Sequence, residues 1–407
     1  MMGRKGKNIA VVVTLDTKGE EARYLKGLIE RRGHRALVID VGIRGALLFK
    51  PDFNREKVAS ATGSSLEKIV SGAPTHSHAL AAMASGAKTL IKQLISEKKI
   101  DAVLSIGGGL GTTQASIIMP ELPLSIPKLT LSTVAFVAGA MSGEMVSVDG
   151  SVMQSPADLW GVNSLTKIAL QRAAGAICGM AEEQDEKEAG EANRVAISTL
   201  GLHSYVDQCK SLLIENGYEP VVFHSIGTGA LEKLVRQGYF SGALDLSCYE
   251  LVSFVSGGIV RGGEEKFTAA CEKGIPQVIG LGGLDFFPLF SYQPIPARLR
   301  GRTVFAQGMV NLIKTSPPEQ RKIADLLAQR LGKARVPTVV LVPLKGFSKL
   351  DSGRGTPFYE PGAGRRFAEV LKEKLSNPLV RLEAMEAHIN DPAFAERATA
   401  LLVGMMA

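Results

Sequence analysis

Cysteine is scarce and scattered. The four residues Cys178, Cys209, Cys248 and Cys271 include no C-x-x-C pair, which argues against a thiolate metal site and against the disulfide framework of a small secreted domain. Tryptophan occurs once, and no stretch interleaves aromatic with basic residues as an RNA-binding sheet requires. The net charge of +7 is spread along the chain, dense only around residues 5–7, 31–35 and 365–366. Nucleic-acid binding is therefore not expected, whereas small anionic ligands suit the charge. No apolar run reaches membrane-spanning length and the first residues carry no signal-peptide core. A cytoplasmic protein without a membrane segment is the expectation. The serine-hydrolase elbow, H-E-x-x-H and an EF-hand loop are also missing.

What the chain has is length and glycine. Its 407 residues exceed one hydrophobic core, and 45% apolar with 21% charged residues is an ordinary globular balance. Many of the 44 glycines follow apolar runs, as strand-to-loop turns do. An acidic stretch at 181–192 lacks large apolar residues. It divides the chain into an N-terminal part (1–181), a linker (182–193) and a C-terminal part (194–407).

Apolar runs of strand length alternate with segments of helical period on both sides of that linker. In the first half, strands are expected at 9–15, 36–41, 100–106 and 128–133, with helices at 20–32, 79–97 and 159–180. In the second half, strands are expected at 194–200, 220–224, 242–246, 277–281, 338–343 and 380–385. Helices there fall at 205–216, 230–237, 318–331 and 365–375. This alternation signals β-α-β units. The predicted fold is α/β, with two Rossmann-like, doubly wound parallel-sheet subdomains facing an interdomain cleft.

In such sheets ligands bind beyond the carboxyl ends of strands, so the loops there are the candidates. After the first strand come Asp16, Thr17, Lys18, Gly19 and Glu20. Thr17 with Glu20 fits a helix capping box, while Asp16 and Lys18 offer a metal-directed carboxylate and a phosphate cation. After Ser105 and Ile106, the glycines Gly107, Gly108, Gly109 and Gly111 precede Thr112 and Thr113. The backbone can approach an anion there, and the two threonines can cap the next helix. This loop lacks the glycine at position 112 that a dinucleotide fingerprint needs, and Gly-Lys-Ser/Thr occurs nowhere in the chain. It is an anion cradle of neither standard kind. Ser132 and Thr133 end another strand, and His224 leads into Gly227, Thr228 and Gly229. Further polar residues close later strands: Asp245, Asp285 after Gly282-Gly283, Asp351 in the 343–351 run, and His388 before Asn390 and Asp391. Asn390 or Asp391 can cap a helix opening at Pro392.

Taken in order, TLDTKGE at 14–20, the 107–112 loop, PKLTLSTVA at 127–135, and the segments 224–229, 244–245, 283–285, 343–351, 357–358 and 388–392 form a recognisable set. The chain resembles, over essentially its whole length, the family of the ATP-binding N-terminal domain of the tomato mosaic virus resistance protein. That resemblance implies ATP with magnesium as cofactors, a homodimer, and a functional partner of TIM-barrel type, since plant and fungal members are fused to one. The family loop reads Gly-Gly-Ser-Gly-Gly-Thr, and Gly109 and Leu110 stand at its third and fourth positions here. Other departures fall at Ser77-His78, 136–144, 198–201 and Ala306-Gln307.

The candidate cofactor-binding residues are thus Asp16, Lys18, Gly107, Gly108, Gly109, Gly111, Thr112, Ser132, Thr133, Gly227, Thr228 and Gly229. The candidate catalytic residues are Asp285, Asp351 and His388. Three functions fit this set. The first is an ATP-binding protein, or an enzyme using ATP or phosphate on a small anionic metabolite. The second is a nucleotide-independent lyase or hydrolase of a small carboxylated or phosphorylated substrate. The third is a non-catalytic ligand-binding protein.

Overall fold

A computed structural model describes residues 6–135, 149–183, 193–227 and 229–407. The chain divides into two compact units, Met1–Glu188 and Ala189–Ala407.

The first unit holds one sheet of β1 (Asn8–Val13), β2 (Arg35–Asp40), β3 (Ala102–Gly107), β4 (Lys128–Ser132) and β5 (Ser151–Gln154), in the order β2-β1-β3-β4-β5. Every pairing is parallel. Alternation along β1 explains the unbroken apolar run, because successive side chains point to opposite faces. Ile9, Val11 and Val13 pack with Leu25 and Ile29 of the helix Leu15–Glu30 and with Leu170 and Ile177 of the helix Ser164–Glu182. Ala10 and Val12 pack on the other side with Met83, Ala87 and Ile91 of the helix His76–Ser96.

The second unit carries a six-stranded sheet built from β6 (Arg194–Thr199), β7 (Glu219–His224), β8 (Gly242–Ser247) and β9 (Gln277–Gly282), followed by an insert and two final strands. The insert is β10 (Phe286–Phe290), β11 (Val304–Gln307) and β12 (Val310–Lys314); the last strands are β13 (Thr338–Pro343) and β14 (Val380–Met385). The main order is β14-β13-β9-β8-β6-β7, again all parallel. Helices Tyr205–Glu215 and Pro392–Met406 cover one face, contributing Cys209, Leu213, Phe394 and Ala398. Pro317–Leu331 and Ala363–Lys374 cover the other with Ile323, Leu327, Phe367 and Leu371.

The insert is antiparallel, in the order β10-β12-β11. Periodicity predicts no strands there, because Pro288 and the turn residues between the strands obscure the short period-two segments. Three local expectations also change. The first helix opens at Leu15 rather than after Thr17, so the Thr17 hydroxyl turns back to Thr14 (Oγ1–Oγ1 2.9 Å) and no capping box forms with Glu20. The helix after β3 opens at Gly109. Thr112 and Thr113 therefore lie inside it and donate to the carbonyls of Gly108 and Gly109 (2.7 and 3.1 Å) instead of capping it. Glu182 ends a helix rather than opening a linker, and residues 184–192 of that acidic stretch lie outside the described residues. No helix among the described residues is long and apolar enough to cross a membrane.

Candidate functional site

The order β2-β1-β3-β4-β5 reverses direction between β1 and β3, which opens a crevice at the carboxyl ends of those two strands. The glycines on its β3 side have distinct duties. A Cβ on Gly107 would sit 2.8 Å from the Cα of Gly111, so this pair lets the strand and the helix Gly109–Ile118 approach closely. Gly109 faces open space, and Gly108 has only Thr133 Oγ1 (3.6 Å) and Asp158 Oδ1 (3.9 Å) near its Cβ direction. The first helical hydrogen bond is donated by Thr112 N to Gly108 O at 2.8 Å. The amides of Gly109, Leu110 and Gly111 consequently precede any intrahelical partner, and the helix dipole adds positive potential there. Thr112 is buried and shares a hydrogen bond with Ser132 (Oγ1–Oγ 2.7 Å), tying the helix to β4. Thr133 lies beside Gly108, with its carbonyl accepting from Gln154 Nε2 at 2.8 Å.

On the β1 side, Leu15 N and Gly42 N donate to Asp40 Oδ1, while Arg55 Nε donates to Asp40 Oδ2 at 2.8 Å. This buried pair fixes the turn after β2 against Asp16: a Cβ on Gly42 would lie 3.0 Å from Asp16 Oδ2, and one on Gly45 3.1 Å from Asp16 Cβ. Lys18 leaves helical geometry (φ −127°, ψ 27°) and sends its ammonium over the Trp160 ring, 5.4 Å from the centroid. The segment carrying Trp160 is held from below, since Gly161 N donates to Glu21 Oε1 at 2.8 Å. Between these parts lies a groove of about 610 Å³ lined by Asp16, Thr17, Glu20, Leu47, Leu48 and Trp160.

In the second unit, the loops after β9, β13 and β14 bring together the three residues the sequence nominates as catalytic. Ser348 Oγ donates to Asp285 Oδ2 at 2.7 Å. Asp351 accepts from the amides of Phe347 (2.9 and 2.8 Å) and Ser348 (2.8 Å). Asn390 N donates to His388 Nδ1 at 3.1 Å, so the ring proton resides on Nε2, which faces Ser348 O at 3.0 Å and Asp351 Oδ1 at 3.4 Å. Gly346, at φ +142°, is required here, because a Cβ would come within 2.6 Å of His388 and 2.8 Å of Asp351. Burial pushes the Asp285 carboxyl well above the usual carboxylate range, and the neighbouring Asp351 adds to the effect. Asp285 Oδ1 has no hydrogen-bond partner.

Two features of this unit escape sequence reasoning. His203, after β6, donates from Nε2 to Phe347 O (3.1 Å), while its Nδ1 lies 3.2 Å from the Tyr205 hydroxyl. Burial lowers its pKa to about 3. Lys266 is sealed in the interior, with Asp245 Oδ1 at 2.9 Å and Glu232 and Glu250 each at 3.4 Å. Ser198 also donates to Asp245. Burial works against the ammonium, but the three carboxylates outweigh it and raise the Lys266 pKa well above the ordinary lysine range. Nothing in the residues around Lys266 announces this hub; its carboxylates come from three separate elements. Gly227 (φ +87°) packs its backbone against Arg261, 2.6 Å from a Cβ position, and Gly229 (φ +63°) starts the next helix. The glycines there serve a backbone crossing, and Thr228 lies outside the described residues.

Among the described residues no group of three or more His, Cys, Asp or Glu side chains is arranged to hold a metal. Comparison with known proteins gives a family match along both units. The description "Uncharacterised protein family (UPF0261) N-terminal domain" matches residues 7–186, and its C-terminal domain counterpart matches residues 192–406. A UPF0261 protein of Clostridium tetani is 33% identical over 404 residues, covering 98% of this chain and 99% of its own. A Brucella suis UPF0261 protein is 32% identical over 398 residues, 97% and 94% of the two chains. The ToMV resistance protein Tm-1(GCR237) of Solanum lycopersicum is 32% identical over 327 residues, 78% of this chain and 43% of that one. Among solved structures, the UDP-GlcNAc 2-epimerase of Methanocaldococcus jannaschii with UDP-GlcNAc and UDP covers 98% of this chain and 99% of its own. Its identity is 11% and its TM-score 0.24, too low to bear on function.

Proposed function

Because the chain belongs to the UPF0261 family, matched along both of its units, we propose that the crevice of the N-terminal unit binds a small phosphorylated anion, with ATP as the leading candidate. The supporting observation is the run of amides at Gly109, Leu110 and Gly111, approached through Gly108 and Gly109, which present no side chain. Lys18 and Thr133 border the same edge. Magnesium entering with a nucleotide is typically held by one or two carboxylates plus phosphate oxygens, and Asp158, whose Oδ1 lies 3.9 Å from the Cβ direction of Gly108, is the carboxylate beside the cradle. Calorimetry with magnesium ATP on the purified full-length protein tests the reading. Binding that weakens in Gly109→Pro, which rigidifies the cradle and adds bulk, supports it; no heat and no thermal shift at millimolar nucleotide overturns it.

A second reading rests on Asp285. Burial and the neighbouring Asp351 raise the Asp285 carboxyl well above the usual carboxylate range, the direction a general acid requires, and its Oδ1 lacks a hydrogen-bond partner. On this reading the loops around Ser348, Asp351 and His388 serve a nucleotide-independent lyase or hydrolase. Turnover of carboxylated or phosphorylated metabolites without nucleotide, abolished by Asp285→Asn, is its expected signature.

A further inference from the structure

Trp160 is 83% exposed, a large apolar surface left in water beside a groove. Its segment follows β5, at the sheet edge, yet it reaches back across the mouth. Asp158 lies 3.9 Å from the Cβ direction of Gly108, while Gly161 is hydrogen-bonded to Glu21 of the first helix. The strap therefore joins the amide cradle after β3 to the groove after β1. Lys18 is stacked toward the indole, and the rest of the ring borders apolar walls made by Leu47 and Leu48. Asp16 and Glu20 supply carboxylate acceptors to the same groove. These carboxylates disfavour an anion at this end and suit hydroxyl donors.

We propose that Trp160 is a stacking platform for the planar heteroaromatic base of a nucleoside phosphate, whose hydroxyls face Asp16 and Glu20 and whose phosphates run to the Gly109–Gly111 amides. The inference rests on the reading that the N-terminal crevice binds a phosphorylated anion, and it adds the chemical class of the other end. Indole faces attract flat π systems of any base, so the platform selects for a ring rather than for one base. A groove of about 610 Å³ is within the usual size of small-molecule sites.

Trp160 is the only tryptophan of the chain, so fluorescence excited selectively at tryptophan reports on this ring alone. Full-length protein is titrated with magnesium ATP, adenosine and tripolyphosphate, following fluorescence and heat together. ATP and adenosine are expected to quench the emission, and tripolyphosphate to bind without quenching. Trp160→Ala is expected to weaken ATP roughly ten- to a hundredfold, the range of one stacked base, with tripolyphosphate affinity unchanged and Trp160→Phe close to the parent. A melting curve guards against misfolding, which the exposure of the ring makes a minor concern. ATP heat with unaltered emission and an unweakened Trp160→Ala variant overturns the stacking inference and leaves the anion reading standing. No heat from ATP or tripolyphosphate overturns the anion reading, and with it the assignment of a nucleoside phosphate to the platform.

Discussion

Lys266 Nζ stands 2.9 Å from Asp245 Oδ1, and neither side chain is more than 2% exposed. Lys266 is a buried cation facing three carboxylates, those of Asp245, Glu232 and Glu250. Removing it strands charge in a low-dielectric interior. Lys266→Met should cost about 3–5 kcal/mol in urea denaturation, with part recovered in Lys266→Met/Asp245→Asn. A midpoint within experimental error of the parent would mean the carboxyls are already protonated.

The same hub carries a pH signature. Burial pushes Glu250 up to about 7 from an ordinary 4.5, with Glu232 and Asp245 adding to the rise and Lys266 opposing it. A group that holds its proton more tightly when folded contributes stability that is full below the unfolded value and is lost as pH rises through the folded one. The parent should therefore lose stability relative to Glu250→Gln between about pH 4.5 and about pH 7. Denaturation curves for both proteins across that window are the measurement, and parallel profiles would contradict the assignment.

Gly107 and Gly109 should respond oppositely to the same methyl group. In Gly107→Ala the new Cβ meets Gly111 at 2.8 Å, backbone that cannot swing away, and a loss of about 1–3 kcal/mol is expected. Gly109→Ala points into open space and should stay within about 0.5 kcal/mol of the parent. Thermal melts distinguish the two, and equal losses would refute the division of duties between these glycines.

Asp351 organises its loop through backbone amides. Asp351→Ala strips the acceptor from Phe347 and Ser348 and should cost on the order of 3 kcal/mol, as buried bonds to a charged group do. Asp285→Asn keeps an acceptor for Ser348 and puts a neutral amide where burial already favours the neutral carboxyl, so its melting point should remain near the parent. A larger loss for Asp285→Asn than for Asp351→Ala would mean that Asp285 is ionised.

How far the sequence could be read depended on the range of the interaction. Strands β13 (Thr338–Pro343) and β14 (Val380–Met385) match their expected limits because an unbroken apolar run between turn residues is a local signal. The opening turn of the helix Gly109–Ile118 and the antiparallel insert were not legible. The first begins with residues that disfavour helix and is held by its packing on β3 and β4, while the insert is held by cross-strand partners such as Phe287 and Ile313. Asp285, Asp351 and His388 could be nominated one by one from their places after strands. Ser348 linking to Asp285, and His203 reaching Phe347 from a loop 144 residues away, could not.

Chain-local chemistry alone therefore settled the alternation of strand and helix, the parallel sheets and the turns where glycine gathers, since hydrophobic period and backbone freedom act over a few residues. Folding in three dimensions decided which of those turns became mouths and which became hinges of packing. It put Gly107 against Gly111 and Gly227 against Arg261, left Gly109 facing open space, and drew Lys266 among carboxylates from separate elements. Steric exclusion and burial of charge depend on what the fold brings close, and sequence distance carries no record of it.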